Sequence, residues 1–497
     1  MLAGEIMEFK DLIFYEIYPT SFYDSNNDGI GDLNGIKEKL DYVKDLGFNA
    51  IWLNPFYPSP FKDGGYDITN FFDVDKRFGT LDDFKSLLKR AHELDIKIII
   101  DLVAGHASNT NEEFLKSASS NRNEYSDLFI WNDSVWSLEP YYRLISGMFD
   151  RNGCYLVNFF AHQPAFNYGF NRIEYPWQMS YQDPRTYQAR EYLLKIMRFW
   201  LNLGVDGFRV DMADSLVKND DNKDATIEVW KYLFGIIRNE YPNAFFVSEW
   251  SNPHQAFEAG FDTDFVLDHW DNFYHRLVRS DDNTRGLSVY NGQDLSYMMN
   301  DLIYRLNEAK NYHKYLGLIS GNHDTRRIAN YLNREKLKSF YLFFFSLPGV
   351  PFVLYGDEIE MKTSDIPSKD GGYQRTGTRI PFIWDDTFNH GFSSNKDIYL
   401  PFNDEINPKS LQDLKKDEKS LFYFLKDLIK IRKEYDSLKS YNYEIINDNN
   451  VIKIIHDDLL MMINFSNVEL NLEDEVLLSS HEIKNKLPKY HGAILKR

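Results

Sequence analysis

Three carboxylates in this sequence stand where a carboxylate can do chemistry. Asp211 closes the run Gly204-Val205-Asp206-Gly207-Phe208-Arg209-Val210-Asp211, with Arg209 two residues before it. Residues two apart in a strand share a face, so the guanidinium and the carboxylate lie side by side. Such a cation keeps Asp211 ionised, and therefore nucleophilic, at neutral pH. Glu249 ends Phe245-Phe246-Val247-Ser248-Glu249-Trp250 among apolar and aromatic neighbours. Those surroundings raise a carboxyl pKa, as a general acid requires. Asp324 follows in Gly321-Asn322-His323-Asp324, beside a histidine able to donate while neutral. Singly, each has an ordinary explanation as a buried ion pair, a surface glutamate or a helix cap.

What must position them is an alternation of strands and helices. Short apolar, β-branched runs recur at Ile13 to Tyr18, Ala50 to Leu53, Ile96 to Val103, Gly207 to Asp211, Phe245 to Glu249, Asp264 to Asp268, Leu316 to Ser320 and Pro351 to Tyr355. Between most of them lie stretches with helical spacing, such as Ile36, Leu40, Val43 and Leu46, or Leu193, Ile196, Trp200 and Leu203. Eight βα units predict an α/β fold, a closed (β/α)8 TIM barrel, whose chemistry sits at the C-terminal ends of its strands. All three acids fall at such ends. A nucleophile and an acid/base on opposite sides of one bond describe retaining glycoside hydrolysis, with the two carboxyls ~5 to 5.5 Å apart.

The stretch between the third and fourth strands is too long for one helix, so residues 105–170 are expected to form a subdomain inserted after the third strand, between barrel portions 1–104 and 171–436. From residue 437 to 497 the texture turns to short alternating segments such as Val451-Ile452-Lys453-Ile454-Ile455, which predicts a C-terminal β-sandwich domain. With 56 Lys+Arg against 75 Asp+Glu the net charge is −19, which argues against a nucleic-acid binder and a membrane-surface protein. A single cysteine, Cys154, excludes an internal disulfide and a cysteine metal cluster. The opening Met1-Leu2-Ala3-Gly4-Glu5 has no basic leader followed by an apolar run, so a cytoplasmic location is expected.

These motifs identify the chain as similar to the α-amylase superfamily of glycoside hydrolases, glycoside hydrolase family 13. The resemblance rests on Asp101-Leu102-Val103-Ala104-Gly105-His106, Gly207-Phe208-Arg209-Val210-Asp211, the strand ending in Glu249, and Asn322-His323-Asp324, in that order over residues 13–390. It implies Asp211 as nucleophile, Glu249 as acid/base, and Asp324 as a carboxylate that holds sugar hydroxyls and favours the distorted ring. His106 and His323 would bond the sugar in the cleaved subsite, and Arg209 would orient Asp211. Tyr66, in Asp63-Gly64-Gly65-Tyr66-Asp67, would stack on the terminal sugar. Asp63 would pair with Arg379 of Arg379-Ile380-Pro381-Phe382-Ile383-Trp384-Asp385, which resembles a segment of oligo-1,6-glucosidases. Such a charge-assisted pair would close the pocket behind the non-reducing end.

The stretch from Asp24 to Asp32 offers oxygens at alternate positions, Asp24, Asn26, Asp28, the Ile30 carbonyl and Asp32, with Gly29 at the sixth. That is the opening logic of a calcium loop, and oligo-1,6-glucosidase-like members carry calcium in a similar one. Gly35 at the twelfth position rules out an EF-hand. An Asx turn without metal is the alternative. No organic cofactor is expected.

The sequence also departs from the family. Gly105, Asp214 and Ser215 stand where many amylases place residues that help hold a second calcium, and Met212 matches neither the Val tied to α-1,6 nor the Ala or Thr common with α-1,4 specificity. The reading is therefore a retaining α-glucosidase acting on short α-glucans from the non-reducing end, with linkage open. An endo-acting α-amylase or neopullulanase-like hydrolase and an α-glucan transglycosylase or isomerase are the alternatives. A non-catalytic barrel, such as the ectodomain of amino-acid transporter heavy chains, is more remote because the acids are kept.

Overall fold

The structure is a computed structural model describing residues 8–136, 141–267, 272–279, 288–407, 409–482 and 485–497. Met1 to Glu5 and Asp268, both used above, lie outside the described residues. Parallel strands β1 (Phe14–Ile17), β2 (Ala50–Leu53) and β3 (Lys97–Val103) open a barrel. The chain then leaves to form a small antiparallel sheet of β4 (Trp131–Asn132), β5 (Leu144–Ser146) and β6 (Cys154–Leu156), and returns with β7 (Gly207–Asp211), β8 (Phe245–Ser248), β9 (Thr263–Phe265), β10 (Tyr315–Ile319) and β11 (Gly349–Leu354). β11 pairs back onto β1, Phe14 opposite Phe352, and closes the barrel. Six of the eight expected barrel strands shift at one end or both, and two of these ends bear on the site. β8 stops at Ser248, so Glu249 stands one residue beyond it with its N–H still on the Val210 carbonyl at 3.0 Å. β9 begins at Thr263 and ends at Phe265, and a last N–H···O bond from Val266 to the Gly317 carbonyl of β10 (3.0 Å) lies just past it.

Period-two alternation sorts the barrel's interior into layers. Phe14, Trp52, Ile99, Phe245, Val247, Phe265, Ile319 and Phe352 form an apolar cluster, with the Phe14 and Phe352 rings stacked at 4.4 Å. One step toward the C-terminal ends the same inward faces carry Glu16, Asp101, Arg209 and Asp211, every one of them buried. Asp101 is the register partner of Arg209 across the β3–β7 ladder, which sets the two at one height. Outside the barrel the helices bury one stripe each; Tyr187–Leu203 turns Leu193, Met197 and Trp200 inward and ends at Gly204, which takes the left-handed conformation (φ 106°) its missing side chain permits.

The C-terminal region holds β12 (Glu444–Asp448), β13 (Val451–Ile455), β14 (Leu459–Asn464), the short β15 (Leu470–Asn471), β16 (Glu475–Ser479), the short β17 (Lys486–Leu487) and β18 (Gly492–Lys496). Five of them form one antiparallel sheet in the order β12-β13-β14-β18-β16, while β15 and β17 form a second, two-stranded one. The larger sheet packs through β18 and β14 on the helix Arg334–Ser346. Among the described residues no helix is long and apolar enough to cross a membrane.

One buried cation ties this end together. Arg432, in the helix Leu421–Glu434, is 1% exposed and donates to the carbonyls of Phe345, of Leu347 at 3.0 Å and of Gly349 at 2.5 Å, where a neighbouring helix ends and β11 begins. Leaving buried carbonyls unpaired costs about 1–3 kcal/mol each. Arg432→Met is therefore expected to lower the thermal midpoint by several degrees in scanning calorimetry, and a shift of under about 1 °C would contradict this role.

Candidate active site

Arg209 sits at the centre of the acidic layer. Its Nη1 lies 2.5 Å from Asp101 Oδ1 and 3.0 Å from Asp211 Oδ1, and its Nη2 lies 2.7 Å from Glu249 Oε1. One planar fork thus holds Asp211 and Glu249 on its two terminal nitrogens, aimed into the same cavity. Glu249 is fixed from its other side, where Oε2 accepts the Met212 N–H at 2.9 Å. Met212 adopts the left-handed region (φ 43°, ψ 46°), a conformation that costs a side-chain-bearing residue on the order of 1 kcal/mol and that clusters at functional sites.

The electrostatics differ in one respect from the sequence expectation. Arg209 divides its charge among three carboxylates, so it does not hold Asp211 low. Burial, and then the charge of Glu249, push Asp211 well above the usual carboxylate range. Burial likewise pushes Glu249 up, against the opposing pull of Arg209. Two carboxyls sharing one cation in a dry site therefore retain one proton between them toward neutral pH, the state in which one can attack and the other can donate. Asp324 behaves oppositely. Its burial is outweighed by His323, Arg379 and Arg375, which hold it well below the usual range.

The walls come from the loops beyond the strands. His106 Nε2 is 3.2 Å from the Tyr66 carbonyl and its Nδ1 is 3.2 Å from the Asn158 amide; burial lowers its pKa to about 3. His323 Nδ1 is 2.8 Å from Glu16 Oε1, its ring stacks on Tyr66 at 5.3 Å, and burial again pushes its pKa down. Both imidazoles are neutral at pH 7 and can bond a sugar hydroxyl without adding charge. Tyr66 OH also reaches Asp101 at 3.3 Å.

The expected Asp63–Arg379 pair is not formed. Arg379 is committed elsewhere, donating from Nε to the His323 carbonyl at 3.0 Å and from Nη2 to Asp324 Oδ1 at 2.5 Å. Arg375, in the 3-10 helix Tyr373–Thr378, takes its place, with Nη2 2.9 Å from Asp63 Oδ1 and Nη1 3.1 Å from Asp324 Oδ1. Asp63 Oδ2 accepts from Gln163 at 2.7 Å. Asp63, Gln163, Arg375, Asp211, Glu249 and Asp324 line one cavity of about 610 Å³, together with Phe159, Met212, Trp250 and Leu267.

Sequence reasoning missed Arg375, Gln163, Asn158 and Glu16. Only Glu16 carried a signal, a lone carboxylate in the first apolar strand with the parity of the barrel interior. The structure brings Asp63, Tyr66, His106, Arg209, Asp211, Glu249, His323, Asp324 and Arg379 to one end of the barrel. It sets Asp24 to Asp32 apart from them. There Asp24 accepts the Asn27 and Gly29 N–H groups at 2.7 and 2.8 Å and the Ser393 hydroxyl at 2.5 Å. Asp32 caps the helix Leu33–Glu38 through Gly35 N, while the exposed Asn26 and Asp28 accept from Asp28 N and Ile30 N. Every donor in the loop is a hard oxygen, which suits calcium, although the described residues hold no group of three His, Cys, Asp or Glu already gathered around a common point.

Residues 16–441 match the family model described as alpha amylase, catalytic domain. Alpha-amylase 3 of Dictyoglomus thermophilum is 30% identical over 496 residues, covering 96% of this chain and 88% of its own. An alpha-glucosidase of Apis mellifera is 30% identical, covering 93% and 86%. The solved structure of an isomaltulose synthase from Klebsiella sp. LX3 superposes with a TM-score of 0.83 at 24% identity, over 98% of this chain and 99% of that one, a likeness of fold.

The shared proton predicts a bell-shaped dependence of kcat/KM on pH for a chromogenic α-glucoside. Activity should fall in acid as the pair takes up a second proton, and in alkali as its remaining proton leaves. Asp211→Asn and Glu249→Gln should each lower turnover at least about a hundredfold with circular dichroism unchanged. Ordinary activity in either variant would refute the assignment.

Proposed function

Because this chain belongs to the α-amylase catalytic-domain family of glycoside hydrolases, we propose that it is a retaining α-glucosidase that removes glucose from the non-reducing end of short α-glucans. The observation that supports exo action is the bridge from Asp63 through Arg375 to Asp324, which shuts one end of the cavity. A chain entering from the open side can advance only until its terminal residue meets that wall.

In the first half-reaction an Asp211 oxygen attacks the anomeric carbon, the bond to the leaving oxygen breaks, and Glu249 gives that oxygen its proton. A covalent glycosyl ester on Asp211 results. Glu249, now a carboxylate, takes a proton from water as the water's oxygen displaces Asp211, and glucose leaves with its anomeric configuration retained. Arg209 contacts both carboxylates throughout and limits the repulsion between them as the proton moves. Asp324, kept ionised by Arg375 and Arg379, accepts from the sugar's hydroxyls, and neutral His106 and His323 complete the grip.

A second reading, transfer to a sugar acceptor, is favoured by Met212, Trp250 and Leu267, which line the same cavity as Glu249 and are apolar enough to hold a departing sugar and slow the entry of water. We also assign the Asp24–Asp32 loop to a hard divalent cation, held by Asp24, Asn26, Asp28, the Ile30 carbonyl and Asp32. Bound there, it would brace the loop against Ser393 and take no part in the chemistry. A cytosolic location accords with Cys154 being the sequence's single cysteine, which leaves no internal disulfide to form.

One panel tests these readings together. Maltotetraose should yield glucose as its first product, whereas maltose as the first product would defeat the exo reading. Isomerised disaccharide accumulating from trehalose or sucrose would favour transfer. Chelation should lower the thermal midpoint while leaving the first product unchanged, and preparations with less than about 0.1 equivalent of bound divalent metal and no response to chelator would rule the cation out.

A further inference from the structure

The Glu249 carboxyl is gripped by Arg209 and Met212, but the backbone that carries it is held from behind the barrel wall. Phe245 and Val247 of β8 and Phe265 of β9 belong to the apolar cluster of the barrel interior. Alternation therefore turns Glu249 inward, and Ser248 and Asp264 toward the outer face. Both of these are fully buried, and neither lines the catalytic cavity.

Ser248 and Asp264 stand opposite each other in the β8–β9 ladder. Asp264 Oδ1 accepts the Ser248 hydroxyl at 2.7 Å, much closer than that hydroxyl's 3.4 Å approach to the Thr263 carbonyl. The same oxygen accepts the Ser251 N–H at 3.2 Å. Its two donors thus lie on either side of Glu249 in the chain. β8 has already ended at Ser248, so beyond the Glu249 N–H one carboxylate oxygen does the work that the ladder no longer does.

Ser251 shows how tightly that turn is specified. It takes the left-handed region (φ 60°), where a side-chain-bearing residue persists only if its surroundings over-determine it. Its N–H is on Asp264, its carbonyl accepts from Arg305 Nη1 at 3.1 Å, and its hydroxyl oxygen accepts the Leu267 N–H at 3.3 Å. Arg305 is itself held by Asp301 at 2.9 Å. Asp264 is costly to keep in such a place. Its Oδ2 is buried with no hydrogen-bond partner among the described residues, and burial pushes its pKa up to about 7 against the opposing Ser248 bond and Arg305. The bonds to Ser248 and Ser251 are what that burial secures.

We propose that Asp264 is a positioning residue for the acid/base: by tying Ser248 and Ser251 to one oxygen, it fixes the backbone on both sides of Glu249 and keeps the Glu249 carboxyl aimed at the leaving oxygen. The inference rests on the reading of Glu249 as acid/base and names the group that sets its aim.

The experiment measures kcat/KM, which reports the first displacement, for maltose and for p-nitrophenyl α-glucoside, with melting temperature as the check of folding. Maltose needs its leaving oxygen protonated, whereas nitrophenolate departs as a stable anion. Asp264→Ala should lower kcat/KM for maltose at least about tenfold while that for the nitrophenyl glucoside stays within about threefold. A merely structural role would lower both alike, so equal losses in a folded variant, or an unchanged value for maltose, would overturn the proposal. If the alanine variant melts early, Ser248→Ala, which removes one of the two bonds, makes the same comparison with a selective loss of at least about threefold expected. Glu249→Gln separates the two readings, since it should show the same selectivity more strongly. Should it spare maltose, the acid/base reading falls and the positioning role with it; should it be selective while Asp264→Ala is not, the positioning role alone falls.

Discussion

A single buried guanidinium governs this site. Arg209 is about 1% exposed and reaches Asp101, Asp211 and Glu249 within 3.0 Å. Three carboxylates so close would repel one another strongly enough to resist ionisation without it, and a buried arginine without them would be an uncompensated charge. The barrel supplies what neither side could supply separately. Its closed ladder sets Asp101 and Arg209 in register, and the apolar floor of Phe14, Trp52 and Phe352 beneath them keeps water from screening the arrangement. Balance between one cation and several acids leaves both Asp211 and Glu249 raised, the condition on which the proposed double displacement draws.

Charge is graded along the cavity. Asp211 and Glu249 are pushed up by burial, whereas Asp324 is pulled down by His323, Arg379 and Arg375. Between them His106 and His323 stay neutral. A sugar with no net charge in this cavity would thus meet two raised carboxyls, an ionised Asp324 and two uncharged imidazoles. The apolar residues Trp250 and Leu267 line the same cavity.

Much of this was legible in the order of residues. Alternation along Phe208-Arg209-Val210-Asp211 placed both charged groups inside the barrel, and the strand boundaries put Asp211, Glu249 and Asp324 at one rim. The family motifs located the walls. What sequence could not fix were contacts made across hundreds of residues by loops without regular structure. Arg375 and Arg379 lie four residues apart, and nothing in their neighbours says which reaches Asp63; the 3-10 helix Tyr373–Thr378 decides it by aiming Arg375 across the cavity and Arg379 back at His323. Division of Arg209 among three partners was hidden for a similar reason, because two of them come from other strands. The short β9 shows a third limit, since apolar composition alone did not say where the strand would begin and end.

The central claim, that Asp211 and Glu249 act from opposite sides of one bond in two successive displacements, is most directly tested by the anomeric configuration of the sugar when it is first released. Proton NMR during the first minutes of α-glucoside hydrolysis, before mutarotation, should record α-glucose. Appearance of β-glucose first would mean that water attacks in a single step and that Asp211 is not the nucleophile.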